Sequence, residues 1–398
     1  SVHITGTNGK TSTTRMIDAL LAASGVRTGR FTSPHLVDVR ERITIEQESI
    51  SAEEFVRTWD DIAPYIEMVD RAHAETDGTR LSFFEVFTVM AFAAFADHPV
   101  DAAVVEVGMG GRWDATNVID AGVSVIMPIA IDHEKWLGST IREIAEEKAG
   151  IIKPGQIVIV ARQEEEALRV IEERAASVDA IVRLEGRDFE VLDRQLGVGG
   201  QMITVRTPAA VYEDVFVPLF GSYQVNNAAA VEAFMGGRAL DAHLVEAGML
   251  AATSPGRLQV VRHSPTIIVD AAHNPAGAHT LGESISEAFD FERMVGVYSG
   301  MGDKDIEGVL GEVEPYLDSL VVTQMPGVRA KPAEEIAEIA RDVFGEDRVE
   351  VHEDILEAIA AAVNLGEAGD ESAPATGVVV FGSVLLAGEV LRLMGIRP

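Results

Sequence analysis

The sequence predicts an α/β protein of two domains, each built on a mainly parallel sheet with helices on both faces. Three observations carry that reading. Short, β-branched, continuously apolar runs alternate with helical stretches along the chain, which is how strands buried on both faces read. A glycine-rich loop joins the first such run to a helix. The 398 residues, 47% of them hydrophobic, are enough for two ordinary domains with a sizeable core.

The clearest strands fall at 103–107, 123–127 and 157–160, then at 266–269, 294–298, 319–323 and 377–381. Residues 181–220 read differently. Their runs are short and alternating, and Gly197, Gly199 and Gly200 mark a turn, so a small antiparallel sheet is expected there. Ser254-Pro255-Gly256-Arg257 follows a helical segment and precedes a fresh strand-rich unit, which makes it the domain boundary. The small and acidic residues of 367–376 predict a surface loop.

Basic side chains number 32 and acidic ones 64, a formal net charge of −32. So acidic a surface repels nucleic acid and anionic membranes, and neither is an expected partner. The chain has no cysteine, which removes disulfides, zinc–thiolate sites and cysteine nucleophiles together. No apolar run reaches the ~18–20 residues of a membrane-spanning helix, and no signal peptide opens the chain. A cytoplasmic protein is expected. The chain opens inside a strand, Val2-His3-Ile4-Thr5, and further residues are expected upstream.

Thr5-Gly6-Thr7-Asn8-Gly9-Lys10-Thr11-Ser12 lies between that strand and a helix that begins near Lys10 and stops at Gly25. Glycines let the backbone curl until several N–H groups point at one anion. The helix N-terminus adds its positive end, and Lys10 adds a full charge. Thr11 places a hydroxyl where Mg²⁺ sits on the β- and γ-phosphates of a nucleotide. Thr7, Asn8, Gly9, Lys10, Thr11 and Ser12 are therefore the expected ATP-binding residues. The common motif has its first glycine five residues before Gly9, where this chain has Ile4, so the loop is a shorter variant. Strand, glycines, Lys-Thr and helix in this order outweigh an incidental turn.

From this loop onward the sequence resembles the folylpolyglutamate synthase/dihydrofolate synthase branch of the Mur ligase superfamily. The matching motifs begin with the loop itself, Thr32-Ser33-Pro34-His35-Leu36, Arg40-Glu41-Arg42-Ile43 and Phe83-Phe84-Glu85. Val105-Glu106-Val107-Gly108, the run from Gly110 to Asn117, Asp132-His133 and the run from Glu147 to Gly155 follow. Pro255-Gly256-Arg257, the run from Asp270 to Pro275, Gly302-Asp303-Lys304-Asp305 and Phe381-Gly382-Ser383 complete the series. They run in family order over almost the whole chain, and the ordered set is specific where any one motif is not. The chain departs from the family at Tyr223, where a histidine usually precedes Gln224. The segment that helps hold the pterin in the family is not among the residues that precede the loop.

The resemblance implies a Mur-ligase-like architecture. A P-loop ATPase domain, the central domain of the family, would cover 1–253 and include the antiparallel subdomain. A linker would cover 254–257, and a Rossmann-like glutamate-ligase domain 258–398. It also implies an ATP-dependent ligase that activates a folate-type carboxylate as an acyl phosphate and joins it to the amino group of L-glutamate. Both dihydrofolate synthase and folylpolyglutamate synthase activity are implied, with folylpolyglutamate synthase alone as the narrower alternative. The expected small-molecule partners are dihydropteroate or a folate, L-glutamate and ATP, and a monomer is expected.

Thr11, Ser33, Glu106 and His133 match the family's metal site. Mg²⁺ prefers oxygen donors, and a carboxylate that ends an apolar strand faces the ligand crevice of an α/β sheet. Such a carboxylate is costly without a cation. A histidine suits Mg²⁺ less well, so Mn²⁺ is an alternative, and K⁺ is a further candidate cation. Taken alone His133 reads as a core or loop histidine; beside Asp132 and after an apolar strand it reads as a ligand. Lys148 ends a helix that Thr140 and Glu143 open with capping-box spacing. By itself it reads as a cation placed on the helix dipole. The family's matching lysine is carbamylated, so the resemblance implies that Lys148 becomes a carbamate and joins the metal ligands. Burial or nearby cations lower a lysine pKa and make that addition feasible.

By the same resemblance Gln224 and Asn227 hold the nucleotide from the first domain, and Arg257 and Asp270 from the second. Arg42, His273 and Ser383 handle the incoming glutamate; a bidentate guanidinium suits an α-carboxylate. Without the family, Arg42 reads equally well as a surface ion pair with Glu41 or Glu46. Lys10, Lys148 and His273 are the expected catalytic residues.

Three competing readings carry less. A cell-wall Mur ligase needs a UDP-binding domain before the loop, and Thr32-Ser33-Pro34-His35-Leu36 favours folate. A nucleotide switch without ligase chemistry would turn over ATP without needing a carboxylate and an amine together. A simple P-loop kinase leaves the second domain unexplained.

Overall fold

A computed structural model describes residues 1–76, 78–220, 226–367 and 376–397. The chain divides into two compact units, Ser1–Thr253 and Ser254–Pro398. The first unit opens with β1 (Val2–Thr5), α1 (Lys10–Ala23), β2 (Thr28–Phe31), β3 (Ile43–Ile45), β4 (Glu48–Ser49), α2 (Ala52–Ala74), α3 (Phe83–Asp97) and β5 (Ala102–Glu106). It continues with β6 (Val123–Ile126), α4 (Glu134–Leu137), α5 (Ile141–Lys148), β7 (Ile157–Val160), α6 (Glu165–Ser177) and β8 (Ile181–Leu184). Then come β9 (Glu190–Gly197), β10 (Gly200–Arg206), β11 (Val211–Val217), α7 (Asn226–Phe234) and α8 (Ala242–Ala251).

The main sheet has the order β4-β3-β2-β5-β1-β6-β7-β8. Strands β2, β5, β1, β6, β7 and β8 are parallel, and β3 and β4 add an antiparallel edge. The central strands are apolar on both faces because helices cover both. Met16, Ile17, Leu20 and Leu21 of α1 pack with Ile4, Val104 and Val125. Phe87, Met90 and Phe95 of α3 pack with Phe31 of β2, Ile43 of β3 and Val105 of β5, the neighbour of Val104 in sequence and so on the opposite face of that strand. Each such side chain contributes ~1.5–3 kcal/mol on burial, so packing rather than capping fixes α1. That helix lacks a side-chain cap, with Gly9 at its N-cap position, whereas α2, α3 and α5 each carry a capping box.

One expectation about this unit is corrected. Residues 181–184 do not join the small antiparallel sheet. They form β8, parallel to β7 in the main sheet. The amphipathic helix α6 lies between the two strands in sequence, and a strand–helix–strand crossover delivers a parallel neighbour. The antiparallel sheet is β11-β10-β9 alone, with its turn at Val198 and Gly199 as expected.

The second unit contains β12 (Gln259–His263), β13 (Thr266–Val269), α9 (Pro275–Ala288), β14 (Arg293–Tyr298), α10 (Ile306–Val313), β15 (Ser319–Val322) and α11 (Ala333–Phe344). It ends with β16 (Val349–Val351), α12 (Ile355–Glu367), β17 (Thr376–Phe381) and α13 (Val384–Leu393). Its sheet runs β12-β13-β17-β14-β15-β16 and is parallel except for the β12–β13 hairpin. The surface loop expected at 367–376 falls mostly outside the described residues. Among the described residues no helix is long and apolar enough to cross a membrane.

Candidate active site

The phosphate loop is held from β6's side. Thr7 donates its amide to the Pro128 carbonyl at 2.9 Å and its hydroxyl to the Ala130 carbonyl at 3.0 Å, and the Ala130 amide returns to that hydroxyl at 3.0 Å. Gly6 must be glycine. Its φ is +148°, and a Cβ there would lie 2.5 Å from Met127 Cβ. Lys10 folds back over the loop and donates to the carbonyls of Gly6 at 3.0 Å and Thr7 at 3.1 Å.

At the end of β5, Glu106 is 1% exposed. Its Oε1 accepts from the Thr11 hydroxyl at 2.8 Å and its Oε2 from the Ser33 amide at 3.2 Å. The structure therefore brings together three of the sequence-predicted metal residues. A carboxylate with two hydroxyl-bearing neighbours is a set of hard oxygen donors and fits Mg²⁺. Arg42 is also buried. Its Nε donates to His35 Nδ1 at 2.9 Å, and its guanidinium lies 5.1 and 5.5 Å from the ring centres of Phe83 and Phe87. Glu41 is not its ion-pair partner. That carboxylate instead accepts the amides of Leu36, Val37 and Asp38 at 2.9, 2.9 and 2.5 Å, which shapes the 33–38 loop.

Lys148 and His133 line a pocket with Gly6, Thr7, Lys10 and Asp132. Lys148 closes α5, is 4% exposed, and donates to the Gly6 carbonyl at 2.9 Å. Burial, and then the charge of Lys10, push its ammonium down to about 7. His133 adopts a left-handed backbone, φ 55°, as the N-cap residue of α4. Its amide donates to Asp132 Oδ1 at 2.7 Å. Among the described residues no three His, Asp or Glu side chains form a ready metal cluster. An ammonium at Lys148 does not fit a cation; an anionic derivative would.

In the second unit, Asp270 directly follows β13 and accepts the amides of Leu258 at 2.8 Å and Ala272 at 2.7 Å. Burial pushes its carboxyl up, and the nearby charge of Arg257 opposes that. His273 Nδ1 lies 2.9 Å from the Ala271 carbonyl oxygen. Asn274 caps α9 by accepting the Gly277 amide at 2.8 Å, with Pro275 in the first turn. Ser383 caps α13 by accepting the Leu385 amide at 3.1 Å. Gln224 and Tyr223 lie outside the described residues, and Asn227 is described only as part of the α7 backbone. Sequence reasoning did not single out Asp132 as a pocket residue, although it adjoins His133 in the quoted motif. It also passed over Asp114, which accepts the Met109 amide at 3.0 Å and so ties down the loop after β5.

Fold and site define a P-loop α/β enzyme with a glycine-rich loop beside a cluster of oxygen-bearing side chains. Residues 4–235 match the Mur ligase middle domain, and residues 256–384 match the Mur ligase glutamate ligase domain. The chain is 47% identical to the dihydrofolate synthase/folylpolyglutamate synthase of Mycobacterium tuberculosis, over 100% of this chain and 86% of that protein. It is 33% identical to the Bacillus subtilis protein of the same name, over 87% of this chain and 82% of that one. It also superposes on the crystal structure of M. tuberculosis folylpolyglutamate synthase complexed with ADP and AMPPCP. The TM-score is 0.96 at 47% identity, covering 100% of this chain and 91% of that one. The chain belongs to the Mur ligase family, in its dihydrofolate synthase/folylpolyglutamate synthase branch, and is an ATP-dependent ligase.

Proposed function

We propose that the chain joins the carboxylate of a pteroate or folate to the amino group of L-glutamate, adding both first and later glutamates. The observation that carries this reading is the gathering of Lys10, Thr11 and Glu106 at the loop after β1. A carboxylate does not react with an amine in water because its oxide is a poor leaving group. A carboxylate oxygen attacks the γ-phosphorus of ATP, and ADP leaves. The glutamate nitrogen then attacks the acyl carbon, phosphate leaves with the C–O electron pair, and the nitrogen loses its proton to solvent. Lys10 stabilises charge on the transferring phosphoryl group. No side chain becomes covalently attached to substrate.

Thr11, Ser33, Glu106 and His133 would hold Mg²⁺, with Mn²⁺ and K⁺ as further cations. A bound Mg²⁺ would neutralise phosphate charge. Lys148 is proposed as a carbamate, formed when its neutral amine adds to CO₂ and a proton is lost. Its burial against Lys10 supports that, since the product turns a mutually repelling pair into an attracting one. Thr7 to Ser12, Gln224 and Asn227 are assigned to ATP from a domain spanning 1–253. Arg257 and Asp270 are assigned to ATP from a domain spanning 258–398, after the 254–257 linker. Arg42, His273 and Ser383 are assigned to glutamate. A cytoplasmic monomer fits small-molecule substrates of this kind. Mass analysis of the amide products formed from dihydropteroate and from a reduced folate tests the reading. Products from both support it, product from the folate alone supports the narrower activity, and product from neither overturns it.

A further inference from the structure

We infer that His3 is a positioning residue for the ligase reaction, acting through Thr116 on Asp114 to hold the 108–114 loop that walls the phosphate pocket. This deepens the proposed function and rests on it only for the use of the pocket.

His3 lies in β1 with no exposed surface. Its Nε2 is 2.8 Å from the Thr116 hydroxyl oxygen. That hydroxyl is 2.5 Å from Asp114 Oδ1, which also accepts the Thr116 amide at 3.0 Å. A hydroxyl has one hydrogen to give. Thr116 gives it to the carboxylate, so it accepts from His3, and the histidine proton sits on Nε2. Burial, and then Lys153, push the ring down to about 3, so it stays neutral. Its Nδ1 is buried with no hydrogen-bond partner among the described residues. A buried acceptor left unmade is costly, and the flanking Val2 and Ile4 show that this strand takes apolar side chains. The histidine therefore carries a cost, and among the described residues the one hydrogen bond of its ring is that to Thr116.

The far end of this chain of bonds reaches the site. Asp114 Oδ2 accepts the Met109 amide at 3.0 Å. Gly108, Met109 and Gly110 line the pocket with Lys10 and Lys148. Thr5, two residues after His3 and so on the same face of β1, donates its hydroxyl to the Gly110 carbonyl at 2.7 Å. The loop then abuts the helix end that carries Lys148. A Cβ on Gly111 would lie 2.9 Å from the Lys148 carbonyl oxygen. The strand that leads into the phosphate loop thus holds, through His3 and Thr5, the opposing loop as well.

Paired variants separate donor loss from loss of packing. A glutamine amide nitrogen reaches the place of Nε2, and an asparagine does not, so His3→Gln keeps the donor and His3→Asn removes it. Thr116→Ser keeps the relay hydroxyl, and Thr116→Val removes it at nearly constant shape. Turnover, the ATP KM and hydrogen exchange of the 108–114 amides are measured for all four and for the parent. We expect His3→Asn and Thr116→Val to lower kcat on the order of tenfold with the ATP KM within about twofold, because Thr7 holds the phosphate loop independently. The same two variants should exchange faster at 108–114, while His3→Gln and Thr116→Ser match the parent. Folded His3→Asn and Thr116→Val proteins with parental kcat and exchange overturn the inference. Equal losses in donor-keeping and donor-removing variants also overturn it, leaving His3 as packing. If the parent itself forms no amide the functional reading fails, and the exchange comparison still decides the role of His3. If His3→Asn does not fold, the Thr116 pair decides it.

Discussion

Lys10 and Lys148 donate to the same acceptor: their Nζ atoms lie 3.0 and 2.9 Å from the Gly6 carbonyl oxygen. Two ammonium groups on one oxygen repel, and Lys148 is buried besides. Lys10 is the partly exposed member of the pair. Lys148 is the member that yields, with its ammonium pushed down to about 7. The pair thus divides into a partly exposed lysine at the phosphate loop and a buried amine that is partly neutral near pH 7.

The first role predicts that Lys10→Ala stays folded and loses at least about a hundredfold in kcat, a cost of ~3 kcal/mol in the transition state. Steady-state turnover beside a thermal melt checks both halves.

The second role predicts a pH signature. Between about 7 and the ordinary lysine value of 10.5 the unfolded chain holds a proton on Lys148 that the folded chain does not. Stability contributed by this site therefore rises with pH across that window. Lys148→Met should flatten that slope in denaturant titrations. Lys148→Ala should lose most activity, with partial recovery in acetate or formate, which can occupy the vacated space. Parental activity below pH 7 should fall and recover in part with added bicarbonate. Lys148→Arg should be inactive, because a guanidinium cannot become a carbamate; an active Arg variant without a bicarbonate effect returns Lys148 to the role of a helix-end cation.

Glu106 predicts a cation dependence. Glu106→Gln keeps shape and one of the two oxygens that accept from Thr11 and Ser33 but removes the charge. The Mg²⁺ concentration for half-maximal activity should rise at least about tenfold. An unchanged Mg²⁺ titration makes Glu106 structural.

Arg42 predicts a substrate effect. Its Nε is spent on His35 and its plane rests on Phe83 and Phe87, which leaves the terminal N–H groups for a carboxylate. Arg42→Lys should raise the glutamate KM by about tenfold or more while the ATP KM holds. Initial rates over a glutamate series measure it.

The legible parts of the fold were those written in short-range pattern. The apolar strands at 103–107, 123–127 and 157–160 stand within a residue of β5, β6 and β7. The Thr140–Glu143 capping box opens α5 as expected. Strand β2 was not legible, because Thr28-Gly29-Arg30-Phe31 contains a glycine and an arginine. Arg30 is buried there with its guanidinium donating to Asp18 of α1 at 2.8 Å and to the Thr44 hydroxyl at 3.0 Å, and no local pattern announces such partners. The site shows the same division. Thr7 to Ser12 follow from their spacing, whereas the burial of Lys148 is hidden by its charged sequence neighbours Glu146 and Glu147. His3 reads as one more residue of a buried strand until Thr116, 113 positions away, is seen beside it.

The most direct test of the ligase assignment is ADP release by the purified chain with ATP, Mg²⁺, L-glutamate and dihydropteroate or a reduced folate. Each organic substrate is omitted in turn. The account predicts steady ADP release only when the carboxylate and glutamate are both present, matched one to one by amide product. ADP release that ignores either omission, or that proceeds without amide product, would contradict it.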